Sequence, residues 1–351
     1  MVGELRGTEA MNPRPSETEP SPGTVWLYNP LPEALHHYEE SLLDVLNAAG
    51  VSARSLRAPS IEVRGASRWH RARAALAELA AHAQGGREPG HLVVCWPTYG
   101  LLEPALWLPF WRGSTVSIVV HDPSPLRRQL GMGRFAAAVG GRAARSPHLR
   151  VVAHSEVAAE RLRGMGWAEP APLPHPVFRT RARSAPRSAE AGTVLVCGQF
   201  KPARNMSLLT ELGPMLRRRG YRTVIAGRGW PSVPGWEVID GFLSEVELDE
   251  RIGSSAAVLI PYNRFYQSGI AVRAMELGVP VVGSDHPFLA ELFGLAWPGL
   301  VATDNAVNWA DAVATVAGES ERMAGAAADF RERCERAWAG YLGRAALPSR
   351  G

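Results

Sequence analysis

Of the 38 lysine and arginine side chains in this 351-residue chain, only Lys201 is a lysine. It follows an apolar run at residues 193–197 that breaks at Gly198 and gives way to a helical pattern, which predicts a strand, a glycine turn and a helix. Such a turn points backbone N–H groups and the positive end of a helix at phosphate groups. Lys201 and Arg204 would add a compact cation and a planar guanidinium, which can bind different oxygens of one diphosphate. The alternative is that Lys201 is an ordinary surface base.

A second helix start, after Gln267, offers the same chemistry. Gly269 would let the backbone approach a phosphate closely, and Ile270 and Ala271 would extend the set of free N–H groups at the helix N-terminus. An ordinary loop with Ser268 as a helix cap is the alternative interpretation.

Strand-like runs alternate with helical patterns along the chain, which is typical of parallel sheets connected by crossover helices. The runs lie at 24–28, 92–96, 116–121, 150–153, 193–197, 222–226, 257–261 and 279–283. Residues 33–49 carry a helical apolar stripe that ends at Gly50, a C-cap. We therefore predict an α/β protein with two doubly wound Rossmann-like domains that face each other across a ligand-binding cleft.

The length suits two domains of ordinary size, and the composition gives their bounds. Residues 1–23 are rich in Pro, Ser, Thr and Glu and are predicted to be a disordered tail. The N-terminal domain is predicted at 24–170 and the C-terminal domain at 193–315, with a Pro- and Arg-rich linker at 171–192. The Ala-rich residues 316–351 are predicted to form a C-terminal helix and tail.

Composition also limits the compartment and the partners. The three cysteines, Cys95, Cys197 and Cys334, have neither metal-ligand spacing nor a disulfide pattern, which favours free thiols in a reducing cytosol. No apolar run approaches the ~18 residues of a membrane span, and the N-terminus lacks a secretory pattern. A net charge of +4 with interleaved acids and bases does not favour nucleic acid, and an anionic small molecule or membrane surface accounts for it equally well.

Four segments at about residues 90–295 carry recognisable motifs. They are the turn Gly198-Gln-Phe-Lys201-Pro-Ala-Arg204-Asn; the strand Val224-Ile-Ala-Gly227 with the loop Gly241-Phe242-Leu243-Ser-Glu; the loop, helix and strand Gln267-Ser-Gly-Ile-Ala-Val-Arg273-Ala-Met-Glu-Leu-Gly-Val-Pro-Val-Val; and the strand ends Val-Val-His121-Asp-Pro, Ala-His154-Ser and Pro-His175-Pro. Together they resemble retaining glycosyltransferases of family 4, which have the GT-B fold, and the third segment is the most specific.

The resemblance implies a metal-independent, cytoplasmic glycosyltransferase that moves a sugar from a nucleotide-diphosphate donor with retention of configuration, and whose C-terminal helix crosses back to the N-terminal domain. The residues that would contact the donor diphosphate are Gly198, Gln199, Lys201, Arg204, Gln267, Ser268, Gly269, Ile270 and Arg273. The nucleotide-side loop would be Gly241, Phe242 and Leu243. His121 would contact the donor sugar near the reaction centre, so His121, Lys201 and Arg204 are predicted to be catalytic. No Asp-x-Asp pair occurs in the sequence, which fits a reaction without metal or cofactor.

Two residues depart from the family pattern. Arg273 stands where the family commonly has a glutamate that binds the nucleotide ribose or the sugar; it could contact the diphosphate instead, or Glu276 could take over part of that function. Gln199 stands where the family often has an arginine of the diphosphate clamp. The histidines given no chemical role are His36 and His37, interpreted as helix-surface residues, and His154 and His175, interpreted as structural.

The acceptor, whether a small molecule, a glycan or a lipid-linked compound, has no motif in the N-terminal half. The segment 96–112 holds three tryptophans near an arginine-rich stretch and could contact the inner face of a membrane, although core packing explains tryptophans as well. Two other functions remain open. A nucleotide-sugar epimerase would need acidic groups beside the sugar, and an inactive nucleotide-sugar binder would account for Arg273 and Gln199.

Overall fold

The computed structural model describes residues 23–32, 34–56, 90–107, 115–124, 131–178 and 192–346, which form two parallel sheets of six strands each. The predicted tail, apart from its last residue, lies outside the described residues, as do residues 179–191 of the predicted linker. No helix in the described part of the chain is long and apolar enough to cross a membrane.

The N-terminal sheet has the strand order β2-β1-β3-β4-β5-β6. Its strands are β1 (Val25–Tyr28), β2 (Ala53–Leu56), β3 (His91–Val94), β4 (Thr115–Val119), β5 (Leu149–Ala153) and β6 (Ala171–Pro172). The helices of this half are α1 (His36–Ala48), α2 (Glu103–Trp107), α3 (Arg134–Ala143) and α4 (Glu156–Gly164). Because β1 lies between β2 and β3, the chain reverses its winding there, and the loops after β1 and β3 open a crevice at the carboxyl edge.

The C-terminal sheet has the order β12-β11-β10-β7-β8-β9. Its strands are β7 (Thr193–Cys197), β8 (Arg222–Ala226), β9 (Glu237–Ile239), β10 (Ala257–Ile260), β11 (Val281–Ser284) and β12 (Leu300–Val301). The helices are α5 (Met206–Arg218), α6 (Glu245–Gly253), α7 (Gly269–Glu276), α8 (Pro287–Phe293) and α9 (Ala306–Val316). The winding reverses between β7 and β10, so the two turns that carry Lys201 and Gly269 leave the sheet side by side.

Burial on both faces explains why the central strands could be predicted. Every residue of β3, β7 and β10 is buried, and the sequences of these strands are therefore mostly continuous apolar runs. All eight predicted strands form, with bounds that differ by a few residues. The strands that were not predicted are β2, β6, β9 and β12, which are short and less completely buried. Strand β6 pairs with β5 inside the predicted linker, so the N-terminal sheet continues to residue 172.

The last helix, α10 (Ser320–Ala346), joins the two halves, as predicted. Buried Arg331 pairs with Asp44 of α1 at 2.7 Å and also donates to the Val177 carbonyl. Farther along the helix, the Tyr341 hydroxyl lies 2.6 Å from Ser117 Oγ of β4. These contacts hold the C-terminal helix on the N-terminal sheet.

Candidate active site between the two sheets

A cavity of about 540 Å³ lies between the carboxyl edges of the two sheets. Its walls are the loops from both winding reversals together with parts of α1, α6 and α7. It is lined by every residue predicted to be catalytic or to contact the diphosphate: His121, Gly198, Gln199, Lys201, Arg204, Gln267, Ser268, Gly269, Ile270 and Arg273. The predicted nucleotide-side loop, Gly241, Phe242 and Leu243, is not part of this wall, and Phe242 is 66% exposed. The start of α6, which follows that loop, does line the cavity through Glu245.

The turn between β7 and α5 is held against the loop that follows β10. The Asn205 N–H donates to the Pro261 carbonyl and the Asn263 N–H to the Ala203 carbonyl, each at 2.8 Å. The Asn205 side chain also caps α5. At the start of the turn Gly198 has φ +99°, a conformation that favours glycine. The turn therefore holds Lys201 in the cavity wall on a hydrogen-bonded backbone.

Arg204, which is 3% exposed, is buried between two aromatic rings. Its guanidinium carbon lies 3.9 Å from the centre of the Tyr262 ring and 5.1 Å from that of Trp230. Nη2 donates to the Cys197 carbonyl at 2.6 Å, whereas Nε has no hydrogen-bond partner in the described structure. Burial lowers the pKa of Arg204, and the groups that oppose this effect are Tyr262 and Cys197 rather than a carboxylate. A buried guanidinium of this kind is costly unless an anion compensates its charge, and the cavity is where such an anion could bind.

The N-terminus of α7 faces the same space. Ser268 Oγ accepts a hydrogen bond from the Ala271 N–H at 3.2 Å, so the ordinary helix cap exists and the prediction of a free N–H at Ala271 is wrong. The N–H groups of Gly269 and Ile270 precede the first intrahelical bonds and line the cavity. Capping and ligand binding are therefore compatible, because they use different N–H groups.

Hydrogen bonding fixes the tautomer of His121. Its Nε2 lies 2.7 Å from the Cys95 carbonyl, so Nε2 carries the proton and donates. Burial lowers the pKa of His121 to about 4 against the raising effect of its hydrogen bonds, so the ring is neutral and Nδ1 accepts. The donor to Nδ1 is the Gln267 amide nitrogen at 2.6 Å. Both ring nitrogens are thus occupied, and the contact of His121 with a sugar stays a prediction.

The loop before α7 is anchored on the opposite domain by a second hydrogen bond. Ser155, the cap of α4, donates from Oγ to the Tyr266 carbonyl at 2.9 Å, and the Tyr266 side chain packs in the N-terminal core. With the bond from Gln267 to His121, two successive residues of this loop are held by the N-terminal half. The loop that carries the predicted donor contacts is therefore also an interdomain contact.

Arg273 has partners that the sequence did not indicate. Its guanidinium is hydrogen-bonded to the Asp249 and Glu245 carboxylates of α6, at Nε and Nη1 respectively. Burial alone would lower the pKa of Arg273, but the hydrogen bonds that it donates to Asp249 and Glu245 raise this pKa. The charge of Arg273 is compensated within the protein, and its predicted contact with a diphosphate stays a prediction.

Four buried rings form a cluster at the base of the cavity: Tyr38, His121, His154 and His175. The Tyr38 hydroxyl lies 2.9 Å from His154 Nε2, and His154 Nδ1 lies 3.1 Å from the Leu173 carbonyl, so Nδ1–H donates and Nε2 accepts. Burial and the neighbouring histidines lower the pKa of His154 well below its usual value and that of His175 to about 3. The cluster is neutral, and no group of three or more His, Cys, Asp or Glu in the described chain could hold a metal ion.

The interpretation of His37 as a surface residue is wrong. Its Nε2 lies 2.8 Å from Glu276 Oε2 in α7, and the other oxygen of Glu276 accepts from the Phe178 N–H at 2.8 Å. His37 therefore bridges the two halves of the protein beside the cavity. His36 is at the surface, as predicted, with a side chain that is 58% exposed.

Sequence reasoning also missed Tyr38, Trp96 and Glu245, which line the cavity. A signal existed for Trp96, because it is the last residue of the predicted strand at 92–96, just as His121 is the last residue of the next predicted strand along the chain. The predicted tryptophan segment divides: Trp96 lies in the cavity wall, while Trp107 is fully buried and donates to Glu103 at 3.0 Å, so core packing is correct for Trp107. Trp111 lies outside the described residues.

Solved structures resemble this chain over most of its length. Sucrose-phosphate synthase from Thermosynechococcus elongatus aligns with a TM-score of 0.63 at 14% identity, covering 92% of this chain and 98% of that one. HepE from Anabaena, solved with UDP and glucose, aligns with a TM-score of 0.58 at 12% identity, covering 91% and 97%. TarM aligns with a TM-score of 0.55 at 12% identity over 76% of this chain, which spans 57% of TarM.

These likenesses confirm the predicted fold, which is GT-B with two Rossmann-like halves. No family model and no curated protein matches the sequence. The resemblance to family 4 therefore stays a prediction.

Proposed function

We propose that this protein is a glycosyltransferase that binds a nucleotide-diphosphate sugar in the cavity between its two halves. The observation that carries the proposal is Arg204, a buried guanidinium at the cavity wall whose charge no carboxylate of the described residues compensates. Lys201 and the N–H groups of Gly269 and Ile270 line the same cavity. A diphosphate would supply the missing negative charge and accept from all of these groups.

The same groups would lower the barrier of the reaction. When the bond between the sugar and the diphosphate breaks, negative charge grows on the leaving phosphate, and donors that are already in place stabilise it. Lys201 and Arg204 would provide the charge compensation, so the proposed reaction needs no metal ion or other cofactor. Retention of configuration is proposed from the resemblance to family 4, and the anomeric configuration of the product, measured by NMR, tests it.

The donor nucleotide to test first is UDP. HepE, which shares the fold over nearly its whole length, was solved with UDP and glucose. The carboxylate of Glu245 lies in the cavity wall and is oriented by Arg273, and a carboxylate can accept hydrogen bonds from ribose hydroxyls. We propose that Glu245, rather than Arg273, contacts the nucleotide, with the loop at Gly241, Phe242 and Leu243 beyond it.

The acceptor would enter along the N-terminal wall, where Leu35 and Trp96 line the cavity. An apolar and aromatic surface suits a glycan, another hydroxyl-bearing small molecule or the carrier end of a lipid-linked acceptor. Peripheral contact with a membrane from a cytoplasmic location stays part of the proposal. Of the three tryptophans predicted for such contact, Trp107 is not available because it is buried in the core.

The test is thermal unfolding with UDP, GDP, TDP, ADP and their common sugar conjugates, compared between wild type and Lys201→Ala. A ligand at about a hundred times its Kd stabilises the folded state by ~2.7 kcal/mol, which shifts Tm by a few degrees. We expect one diphosphate to raise Tm in the wild type but not in Lys201→Ala. Arg218→Ala, an exposed arginine at the far end of α5, is the matched control and should keep the shift.

Analysis of products then separates the alternatives. A transferase consumes the sugar conjugate only with an acceptor, whereas an epimerase isomerises it alone and an inactive binder leaves it intact. The absence of any shift with every diphosphate in the panel would contradict the proposal.

A further inference from the structure

The neutral base of the cavity contains two hydrogen-bond acceptors that have no partner among the described residues. The first is on Gln267. Because His121 Nε2–H donates to the Cys95 carbonyl, Nδ1 must accept, and the Gln267 amide must turn its nitrogen towards it. This leaves Gln267 Oε1 as an acceptor, and it is buried without a hydrogen-bond partner in the described structure. A buried acceptor left unpaired costs roughly 1–3 kcal/mol.

The second acceptor is on His175. Its Nδ1 lies 2.8 Å from the Pro176 carbonyl, so Nδ1 carries the proton of the neutral ring and donates. Nε2 is therefore a bare acceptor, and no hydrogen bond within the described residues uses it. The inaccessible part of the ring packs on Tyr38 and His154, and the ring also lines the cavity.

The ring of Tyr38 packs against two histidines: His175, which carries one acceptor, and His121, which is hydrogen-bonded to the residue that carries the other. Its centre lies 4.9 Å from the centre of the His121 ring and 5.3 Å from that of the His175 ring. The Tyr38 hydroxyl points elsewhere, to His154. Trp96, tilted by 31° against His121, adds an aromatic face to the same end of the cavity. Aromatic faces beside hydrogen-bonding atoms suit the alternating C–H and O–H surfaces of a sugar.

We propose that Gln267 Oε1 and His175 Nε2 bind hydroxyl groups of the donor sugar and select a neutral, hydroxyl-bearing sugar over one that carries a carboxylate. The inference rests on the proposed function and names the substrate class for the same cavity. Hydroxyl groups would donate to both atoms, whereas a carboxylate would place a second acceptor against them in a desolvated site. His175 would thus determine specificity, although the sequence suggested only a structural role.

Calorimetric titration of UDP, UDP-glucose and UDP-glucuronic acid tests the proposal, with GDP and GDP-mannose measured in parallel. His175→Asn is the informative variant because its amide nitrogen can still donate to the Pro176 carbonyl while the acceptor at Nε2 is lost. We expect about tenfold weaker binding of the neutral sugar conjugate, with the Kd of the free diphosphate changed less than about twofold. Discrimination against UDP-glucuronic acid should fall as well. His175→Gln, whose amide oxygen can reach the position of Nε2, should recover part of the affinity.

Deoxyfluoro derivatives of the donor give an independent measurement on the wild type. Fluorine cannot donate, so replacing a hydroxyl that binds Gln267 Oε1 or His175 Nε2 should weaken binding about tenfold, and we expect this at two positions of the sugar. At one of them His175→Asn should add no further loss, since both changes remove the same hydrogen bond. This series on the wild type remains decisive even if His175→Asn does not fold.

Three results would overturn the inference. If His175→Asn weakens the binding of free diphosphate and of the sugar conjugate equally, His175 has only a structural role. Sugar positions that all tolerate fluorine would mean that no hydroxyl is bound, while the proposed function would stand. If neither the UDP nor the GDP series binds, the proposed function fails and this inference fails with it.

Discussion

The two walls of the cavity are built in different ways. On the C-terminal side, the lining includes cations and the N-terminus of α7, carried by two turns that the sheet places next to each other at Lys201 and Gly269. On the N-terminal side, the lining includes a set of neutral rings, among them Tyr38, His121 and His175, which are packed on one another and buried from water. One wall offers positive charge and hydrogen-bond donors, and the other offers aromatic faces and acceptors.

This difference indicates how one ligand would lie across both walls. A nucleotide sugar has a charged, acceptor-rich diphosphate and a neutral, hydroxyl-bearing sugar, and the walls complement these two parts in that order. Gln267 connects them, because it belongs to the C-terminal loop but is oriented by His121 of the N-terminal half. Substitutions on the cationic wall should therefore weaken the binding of the diphosphate, and substitutions on the neutral wall should weaken the binding of the sugar.

The largest expected effect follows from removing the lysine of the charged wall. Lys201→Ala should lower kcat by about 10²–10³, as measured for the loss of one preorganised donor to a developing negative charge. Lys201→Arg keeps the charge but not the compact geometry, and it should fall between Ala and wild type. Steady-state kinetics with the donor identified by thermal unfolding measures both variants. An activity of Lys201→Ala within about threefold of wild type would contradict the division between the walls.

Two buried arginines allow a comparison of binding with stability. Arg331 has carboxylate and carbonyl partners within the protein, so Arg331→Met should reduce the free energy of unfolding by about 3 kcal/mol. Arg204 has no carboxylate partner among the residues that the structure describes, so Arg204→Met should change the stability of the unliganded protein by less than about 1 kcal/mol while it weakens diphosphate binding strongly. Urea unfolding and calorimetry measure the two quantities. A loss of stability in Arg204→Met as large as that in Arg331→Met would assign Arg204 a structural role.

The two walls also differ in how far they could be predicted from the sequence. Lys201 and Arg204 lie in one short segment between a buried strand and a helix, so local patterns were sufficient to identify the turn. The central strands were predicted for the same reason, because burial on both faces gives continuous apolar runs. Edge strands such as β2, with the sequence Ala-Arg-Ser-Leu, carry no such pattern and became evident only in the sheet.

The neutral wall depends on contacts between residues far apart in the chain. Tyr38 lies in α1, His154 follows β5 and His175 follows β6, and no local spacing in the sequence relates the three residues. The tautomer of His121 depends on the Cys95 carbonyl, which a sequence pattern does not contain. The prediction for His37 was wrong and the role of Arg273 was left open for the same reason. The packing of helices brings Glu276 to His37 and Asp249 to Arg273, and the sequence pattern does not contain this packing.

The same substitution placed on each wall should produce different effects. Gln267→Glu puts a carboxylate against His121 Nδ1, which the tautomer leaves as an acceptor, so the ring would have to gain a proton and its pKa should rise from about 4. Binding of UDP-glucose should weaken about tenfold, with a smaller effect on UDP. Gln199→Glu adds a negative charge to the cationic wall and should weaken UDP and UDP-glucose equally. NMR titration measures the pKa of His121, and calorimetry measures the affinity of both variants for UDP and UDP-glucose. If the two variants lose the same affinity for each ligand, the walls are not distinct.

The smallest effect concerns the response of the neutral wall to acid. Burial lowers the pKa of His121 to about 4 and that of His175 to about 3, below the value of ~6.5 in an unfolded chain. Between the folded and the unfolded pKa values, the unfolded state therefore binds more protons than the folded state. The free energy of unfolding is thus highest above about pH 6.5 and decreases as the pH falls. Each buried histidine should lower the free energy of unfolding by about 1 kcal/mol when the pH falls from 7 to 5.5. The cations of the other wall do not titrate in this range.

His175→Asn removes one of these groups, so the loss of unfolding free energy between pH 7 and 5.5 should be smaller than in wild type by about 1 kcal/mol. Burial raises the pKa of Glu291 to about 7, which works in the opposite direction, and the comparison is therefore made in a Glu291→Gln background. His148→Asn, at an exposed position, is the matched control and should leave the pH dependence unchanged. Urea unfolding at both pH values measures the difference. An equal pH dependence in His175→Asn and wild type would mean that the pKa of His175 is not lowered in the folded protein, which would contradict its burial in the neutral wall.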